Sequence, residues 1–221
     1  MTKKDKVLCI LSGGIDSTVL LYDLIAQDYD VSAITFNYGQ RHAKEIQYAI
    51  KTCTELGVKH KIGPISQIRQ LLYGSSLTGG KPVPEGHYED VSMKQTVVAN
   101  RNSILINLAM AWAISKNIPT IAYGAHGGDH EIYPDCREIF VEKINDLAKV
   151  VHYWPLEVIA PYLTKRKEDI VKLGVGLDVP FENTWSCYKG GMYHCARCGT
   201  CTERKEAFKL AGVEDPTIYV K

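Results

Sequence analysis

The 221-residue sequence lacks an excess of charge of either sign, because 26 Lys and Arg stand against 25 Asp and Glu. A surface that follows a phosphate backbone usually carries a marked basic excess, so this balance argues against nucleic acid as the main partner. A local basic patch remains compatible with it. Hydrophobic residues make up 45% of the chain and charged residues 23%, which excludes disordered and fibrous proteins and indicates a globular protein with a full core.

Long apolar runs are also missing. The longest, residues 104–114, is interrupted by Asn107 and falls short of the roughly 20 residues that a membrane span needs. The basic start is followed by the short apolar run 7–11, which is too brief for a signal peptide. We therefore expect a cytoplasmic protein that has no membrane partner, in which cysteines bind metal or pack in the core and do not form disulfides.

Four of the seven cysteines are concentrated within residues 187–201, and the intervening glycines let the chain fold back around an ion. They are Cys187, Cys195, Cys198 and Cys201. Four thiolates at this spacing fit a closed tetrahedral site for one structural Zn²⁺. The Cys-x2-Cys-x2-Cys spacing also occurs in iron–sulfur proteins, and this alternative stays open. We expect Cys9 and Cys53 to be core residues.

Strand-like and helix-like hydrophobic patterns alternate along most of the chain. The predicted strands lie at 7–11, 31–36, 58–62, 119–123 and 153–159. This alternation predicts an α/β fold with a doubly wound, mainly parallel five-stranded sheet, helices on both faces and ligands at the carboxyl ends of the strands. We expect residues 1–180 to form a nucleotide-binding catalytic domain and residues 181–221 a metal-binding appendage packed on it. The Gly- and Pro-rich stretch 74–96 predicts a lid or a binding loop.

The loop after the first strand reads Ser-Gly-Gly-Ile-Asp-Ser, and its two glycines allow backbone N–H groups to approach an anion at a helix start. It matches neither the mononucleotide nor the dinucleotide glycine pattern. Asp16 would repel a phosphate unless a cation intervenes, so we expect Mg²⁺ that bridges to the phosphates here. The alternative is an ordinary turn in which Asp16 and Ser17 cap the helix. The expected nucleotide-binding residues are Leu11, Ser12, Gly13, Gly14, Ile15, Asp16, Ser17, Thr18 and, after the second strand, Tyr38.

Two basic residues are candidates for contacts with phosphate. Arg101 stands at the start of a helix predicted over 103–116 with Asn100 or Asn102 as its cap, and it could pair with phosphate in a bidentate geometry. Lys167 could reach negative charge that develops on a bound phosphate. We favour Lys167 over Lys165 because the Lys167-x-Asp169-Ile170 register resembles a basic motif of pyrophosphatase-loop enzymes. Solvated surface cations are the alternative for all of them.

Three residues after the fourth strand suit a small planar polar ligand. A purine-like ring could stack on Tyr133, Asp135 could accept hydrogen bonds from ring N–H or amino groups, and Arg137 could hold a carboxylate. We expect them to bind the second substrate.

The Ser-Gly-Gly-Ile-Asp-Ser loop after a strand resembles the pyrophosphate loop of the N-type ATP pyrophosphatases, which cleave ATP between the α- and β-phosphates to adenylate an acceptor oxygen. Further stretches narrow this resemblance to one family, the 7-cyano-7-deazaguanine synthases of queuosine biosynthesis. It runs from about residue 6 to the C-terminus and is carried by residues 36–42, 100–102, 133–137, 184–187, 195–201 and 215–217.

The resemblance implies an ATP-dependent ligase that converts 7-carboxy-7-deazaguanine and ammonia to the nitrile through adenylated acid and amide intermediates. It also implies homodimerisation and catalytic roles for Asp16, Lys167 and Arg101. We find no glutaminase segment, so free ammonia is the expected nitrogen donor. The alternatives are a tRNA-thiolating enzyme with the same loop, a non-catalytic nucleotide-binding module and a small zinc-ribbon nucleic-acid binder, and the balanced charge favours a free base over tRNA.

Overall fold

A computed structural model of the protein describes residues 4–130 and 132–220. The strands are β1 (Lys6–Ile10), β2 (Asp30–Asn37), β3 (Lys59–Pro64), β4 (Thr120–Ala122) and β5 (Glu157–Ile159). The helices are α1 (Ile15–Ala26), α2 (Glu45–Glu55), α3 (Arg101–Lys116), α4 (Glu138–Ala148), α5 (Lys167–Gly176) and α6 (Gly199–Ala211). Short 3₁₀ turns lie at Ser66–Gln70, Val91–Thr96, Gly127–Asp129, Pro134–Cys136 and Phe181–Asn183.

The five strands form one parallel sheet in the order β3-β2-β1-β4-β5. The central strand β1 pairs with β2 on one side, where Val7 faces Val31, and with β4 on the other, where Val7 faces Thr120. The predicted doubly wound sheet is confirmed. The order reverses direction at β1 and β4, and the crevice outside the carboxyl ends of these two strands is where such sheets bind ligands.

The hydrophobic core has one layer on each face of the sheet, because the strands are buried on both sides. On one face, Cys9, Val19 and Ile170 belong to a cluster that joins the sheet to α1, α2, α5 and α6. On the other face, Leu8 and Met110 belong to a cluster that joins the sheet to α3 and α4. Cys9 and Cys53 are buried in the first cluster, as the sequence predicted.

The start of α3 differs from the prediction in a way that affects the site. The helix begins at Arg101, and the side chain of Asn100 makes no capping hydrogen bond. The Asp135 carboxylate instead accepts a hydrogen bond from the Asn102 N–H at 2.9 Å. Asn100 has a φ of +58°, a left-handed conformation that asparagine tolerates better than most residues. A contact from a distant turn therefore replaces the local cap.

The C-terminal segment packs closely on the sheet domain. Ala207 and Phe208 of α6 are buried in the same cluster as α1 and α5, and the Phe208 ring meets Phe181 edge to face at 5.0 Å. The division into residues 1–180 and 181–221 stays a prediction. The shared core shows that α6 is held against α5 by the same hydrophobic burial that stabilises the sheet.

By length and composition alone, one helical stretch, Val91–Lys116, could cross a membrane. This stretch includes α3, whose residues Ile106, Ala109, Met110 and Ala113 are buried in the core. Packing against the sheet therefore explains why α3 is apolar.

The long loop at 74–96 is tied to the surrounding structure. The Arg41 guanidinium donates to the Gly79 and Lys81 carbonyls at 3.2 and 2.8 Å, and Glu85 forms an antiparallel bridge with Cys198. Tyr88 of this loop lines a cavity at the carboxyl ends of the strands. The stretch thus contributes a side chain to this cavity, and its role as a lid or binding loop stays a prediction.

Candidate active site

The loop between β1 and α1 is shaped by its own serine hydroxyls. Ser12 Oγ accepts a hydrogen bond from the Gly14 N–H at 3.1 Å, and Ser17 Oγ accepts one from the Ser12 N–H at 3.1 Å. α1 starts immediately afterwards, and the first N–H groups of a helix have no acceptor within it. The loop therefore offers backbone donors and the positive end of the helix dipole to an anion.

Most of the residues expected to bind nucleotide do line a cavity of about 220 Å³ at this end of the sheet, namely Leu11, Ser12, Gly14, Ile15, Asp16, Ser17 and Tyr38. Thr18 is buried in the core instead, and Gly13 packs against α2. A β-carbon on Gly13 would lie 2.2 Å from the Glu45 carbonyl oxygen, and its φ is +94°. The position therefore requires glycine for close packing.

Four ionisable side chains meet beside the loop. Lys167 Nζ, at the start of α5, lies 2.6 Å from Asp16 Oδ2 and 3.5 Å from Glu203 Oε2. His126 Nε2 lies 3.9 Å from both Asp16 Oδ1 and Glu203 Oε1, and 3.4 Å from Lys167 Nζ. The cluster places Lys167 between two carboxylates beside this loop, and its expected contact with phosphate stays a prediction.

Asp16 is an ionised carboxylate with acceptor capacity left over. Burial by itself would raise the pKa of Asp16, but the nearby charges of Lys167 and His126 and the Lys167 hydrogen bond outweigh it and lower that pKa. Asp16 Oδ1 is buried and has no hydrogen-bond partner within the described part of the chain. A carboxylate oxygen in this state suits Mg²⁺, which takes oxygen ligands and phosphate oxygens together.

Arg101 is a fixed cation in the cavity wall. Burial would lower its pKa, but Tyr38, Tyr188 and Asp135 raise it well above the usual value for arginine. Burial in turn raises the pKa of Tyr38, although Arg101 opposes this. Arg101 therefore brings a permanent positive charge to a site lined with phenol groups, where it could meet a phosphate or a carboxylate.

A carboxylate from the first turn of α2 faces the same cavity. Glu45 Oε1 accepts a hydrogen bond from Gln40 Nε2 at 3.1 Å and lies 3.5 Å from His42 Nε2. Burial raises the pKa of Glu45 to about 7, although Gln40 and Arg101 oppose the shift. Burial, followed by the charge of Arg101, lowers the pKa of His42 to about 3. Near neutral pH, His42 is therefore uncharged and Glu45 is poised to gain or lose a proton.

The three residues expected to bind the second substrate have different positions. Tyr133 lines the cavity, and its hydroxyl lies 2.8 Å from Thr96 Oγ1. The Asp135 carboxylate is engaged at the start of α3, beside Arg101. Arg137 is exposed and donates from Nε to the His130 carbonyl at 3.0 Å, and it does not line the cavity. The structure therefore brings Tyr133 to the cavity but not Arg137.

Two cavity residues, Glu45 and Glu203, and the neighbouring His126 were not among the residues predicted from the sequence. Glu203 follows Cys201 by two positions in the first turns of α6, so the metal-ligand spacing could have directed attention to it. Glu45 follows the stretch 36–42 that we had associated with nucleotide. His126 carries no comparable signal, because only the pairing of β4 with its neighbours brings it to the loop.

The four clustered cysteines converge as predicted. Their Sγ atoms all lie within 4.8 Å of one another, and Cys195 Sγ is 3.9 Å from Cys201 Sγ. Sulfurs about 2.3 Å from one tetrahedral ion are about 3.8 Å apart, so the donor set fits a single ion. Two of these cysteines, Cys198 and Cys201, lie at the start of α6, the helix that carries Glu203.

Fold and site together define a nucleotide-binding α/β enzyme of the pyrophosphate-loop class, in which a Ser-Gly-Gly loop lies at the switch point of a parallel sheet. The family model described as "Queuosine biosynthesis protein QueC" matches residues 6–212, and the chain belongs to this family. This confirms the resemblance drawn from the sequence.

Three curated relatives share the name 7-cyano-7-deazaguanine synthase. The chain is 51% identical to the one from Caldicellulosiruptor bescii over 214 residues, which cover 97% of each chain. Identity to the Psychromonas ingrahamii protein is 50% over 215 residues, again 97% of each chain. Identity to the Methanoregula boonei protein is 51% over 214 residues, 97% of this chain and 99% of the relative.

Two solved structures resemble the fold. One is the U34-tRNA thiolase NcsA from Methanococcus maripaludis with its [4Fe-4S] cluster, at a TM-score of 0.52 and 19% identity, covering 94% of this chain and 66% of that one. The other is NMN synthetase from Francisella tularensis, at a TM-score of 0.52 and 14% identity, covering 96% and 79%. At these identities the likeness concerns the fold.

Proposed function

We propose that the chain is the ATP-dependent synthase that converts 7-carboxy-7-deazaguanine and ammonia to 7-cyano-7-deazaguanine in queuosine biosynthesis. The names of relatives about 50% identical over nearly the whole chain support this activity. The observation in the structure that carries it is one cavity that joins the phosphate-binding loop to an aromatic wall. Tyr88, Tyr133, Tyr188 and Trp185 belong to that wall, which suits a planar base.

The first step in this proposal activates the acid. The substrate carboxylate attacks the α-phosphate of ATP, an acyl adenylate forms and pyrophosphate leaves. The loop N–H groups and the start of α1 hold the departing pyrophosphate, and Lys167 and Arg101 offset negative charge at the reacting phosphate. Asp16 would hold Mg²⁺, which supplies charge neutralisation between the phosphates. No covalent attachment to the protein is needed.

Ammonia then displaces AMP to give the amide. The amide oxygen is adenylated by a second ATP in the same way, and loss of AMP leaves the nitrile. Each activation uses the same loop, the same lysine and the same cavity, so one site is sufficient for both. The reaction consumes two ATP for each nitrile and needs no oxidant or reductant.

The metal in the cysteine site is proposed to be zinc. The Sγ separations favour one ion over a four-iron cluster, because a cluster must fit its irons and sulfides between the thiolates and so holds its ligands farther apart. Metal analysis of the purified protein should give one zinc per chain. Iron with acid-labile sulfide would contradict the assignment. Homodimerisation, a cytoplasmic location and the absence of a stable nucleic-acid partner stay predictions from the sequence.

The decisive experiment is ATP–pyrophosphate exchange with the carboxylic acid as acceptor. Exchange should depend on 7-carboxy-7-deazaguanine in the absence of ammonia, and addition of ammonium should give the amide and then the nitrile with AMP. Guanine, which lacks the carboxylate, is the matched control and should support no exchange. Exchange at the same rate with and without the carboxylic acid, or exchange that requires tRNA, would contradict the proposed function.

A further inference from the structure

Three carboxylates line the cavity, and one of them has no lysine or arginine at ion-pair distance among the described residues. Lys167 lies within 3.5 Å of both Asp16 and Glu203. Glu45, whose side chain is only 12% exposed, has no lysine or arginine within ion-pair distance in the described part of the chain. A buried carboxylate without a paired charge is costly, and near a substrate site it indicates a ligand that supplies the missing donor.

The hydrogen bonds of Glu45 are confined to one of its two oxygens. Gln40 donates to Oε1, which also lies nearest His42. Oε2 has no hydrogen bond to any residue that the structure describes. A guanine-like edge presents two adjacent donors and would engage both carboxylate oxygens. Only Oε2 is available, and a single free oxygen fits a small ligand that donates one hydrogen bond to the carboxylate.

We propose that Glu45 forms the ammonium subsite of the enzyme and removes the proton that makes ammonium unreactive. This inference rests on the proposed function, because only a reaction that uses free ammonia needs such a subsite. Ammonium is the predominant form near neutral pH, and it has no lone pair with which to attack an acyl adenylate. A carboxylate beside the acyl group therefore both attracts the cation and converts it to the nucleophile.

The protons and electron pairs balance in this step. Glu45 takes one proton from ammonium and becomes a carboxylic acid. The freed nitrogen lone pair forms the C–N bond, AMP leaves with the electrons of the C–O bond, and the nitrogen then loses a second proton. Glu45 is regenerated when its own proton passes to solvent through the open side of the cavity.

The surroundings of Glu45 suit this exchange. The groups that face it are His42 before α2, Tyr38 after β2 and Arg101 at the start of α3. Its pKa of about 7 lies where a general base works best near neutral pH. His42 has a pKa of about 3 and remains uncharged, so it does not compete for the proton.

The test separates the two half-reactions in the full-length enzyme. Glu45→Gln should leave acid-dependent ATP–pyrophosphate exchange within about twofold of the parent, but slow amide formation from ammonium chloride by about 100-fold. Hydroxylamine, which is already a neutral nucleophile at this pH, should trap the acyl adenylate at nearly the parent rate. Glu55→Gln, the same substitution on the exposed end of α2, is the control and should change none of these rates.

The parent enzyme provides a second measurement if the variant does not fold. Its rate of amide formation at fixed total ammonium should rise with pH up to about pH 7 and then level off, because the bound reaction needs ionised Glu45, whereas direct use of free ammonia would keep the rate rising toward the much higher pKa of ammonium. Equal losses of rate with both nucleophiles, an impaired exchange reaction, or a rate that keeps rising above pH 7 in proportion to free ammonia would overturn the subsite. Absence of acid-dependent exchange in the parent would instead refute the proposed function, and the subsite with it.

Discussion

Removal of the Asp215 carboxylate is the sharpest test of how the C-terminal segment supports the site. Arg204 of α6 is completely buried, and its Nε donates to Asp215 Oδ1 at 3.1 Å. The same guanidinium donates to Thr184 Oγ1 at 2.7 Å and to the Phe181 carbonyl at 3.0 Å. These bonds anchor the segment that ends at Trp185. The backbone N–H of Trp185 donates to the Gly13 carbonyl in the phosphate-binding loop at 2.8 Å.

Asp215→Ala should lower the free energy of unfolding by about 3 kcal/mol. Loss of one partner of a buried ion pair costs about 3–5 kcal/mol, and the lower end applies because Asp215 is 12% exposed and Arg204 keeps its uncharged acceptors. With a urea slope of about 2–3 kcal/mol/M, the unfolding midpoint should fall by about 1 M or more. Activity should fall as well, because the segment beside Gly13 loses its anchor.

Glu55→Ala is the control for this measurement. Glu55 pairs with Lys51 at 3.8 Å across an exposed helix face, where such a pair contributes about 0.3–0.5 kcal/mol. Urea unfolding of the parent and both variants, followed by circular dichroism, gives the comparison. A change in Asp215→Ala no larger than that in Glu55→Ala would refute the reasoning.

The pH dependence of stability gives an independent check on Asp215. Burial would raise the pKa of Asp215, but Arg204 and the hydrogen bonds from Tyr219 and Thr217 outweigh it and lower that pKa. The ion pair thus contributes fully above the unfolded value of about 4, and its contribution is lost as the pH falls through the lower folded value. The stability gap between the parent and Asp215→Ala should therefore narrow as the pH is lowered below about 4.

Three further predictions concern the loop and the metal site. Asp16→Asn should reduce ATP–pyrophosphate exchange by about 100-fold or more with an unchanged circular dichroism spectrum, and full exchange would contradict its role. Gly57→Ala should lower the free energy of unfolding by about 1–2 kcal/mol, the cost of a left-handed backbone conformation alone, because no atom lies within 4 Å of the new β-carbon. Gly13→Ala should lower the free energy of unfolding further than Gly57→Ala does, because its new β-carbon would also clash with the Glu45 carbonyl oxygen. Equal urea midpoints for the two variants would count against this packing. Cys198→Ser should abolish stoichiometric metal and lower the unfolding midpoint, and retention of one ion per chain would exclude Cys198 as a ligand.

The features that the sequence predicted are those with short-range causes. Hydrophobic periodicity depends on neighbours a few residues apart, so it predicted the five strands and the parallel class of sheet. The loop of residues 12–17 and the cysteine cluster of residues 187–201 are each confined to one short segment. Their residue types and spacing are therefore sufficient to predict an anion-binding loop and a set of metal donors. Helix boundaries were less accurate: α3 starts at Arg101 because Asp135, from a distant turn, accepts from its first-turn backbone.

What only the tertiary structure decided is which distant side chains meet beside the loop of residues 12–17. Sheet order brings His126 after β4 to Asp16 after β1, and the packing of α6 on α5 brings Glu203 to Lys167. The tertiary packing also places the Asp135 carboxylate at the start of α3, and it leaves Arg137 at the surface. The sequence by itself determined the class of fold, the anion-binding loop and the metal donors, because these follow from local spacing. The assembled charge cluster and the unpaired Glu45 follow from contacts between elements, which no local pattern encodes.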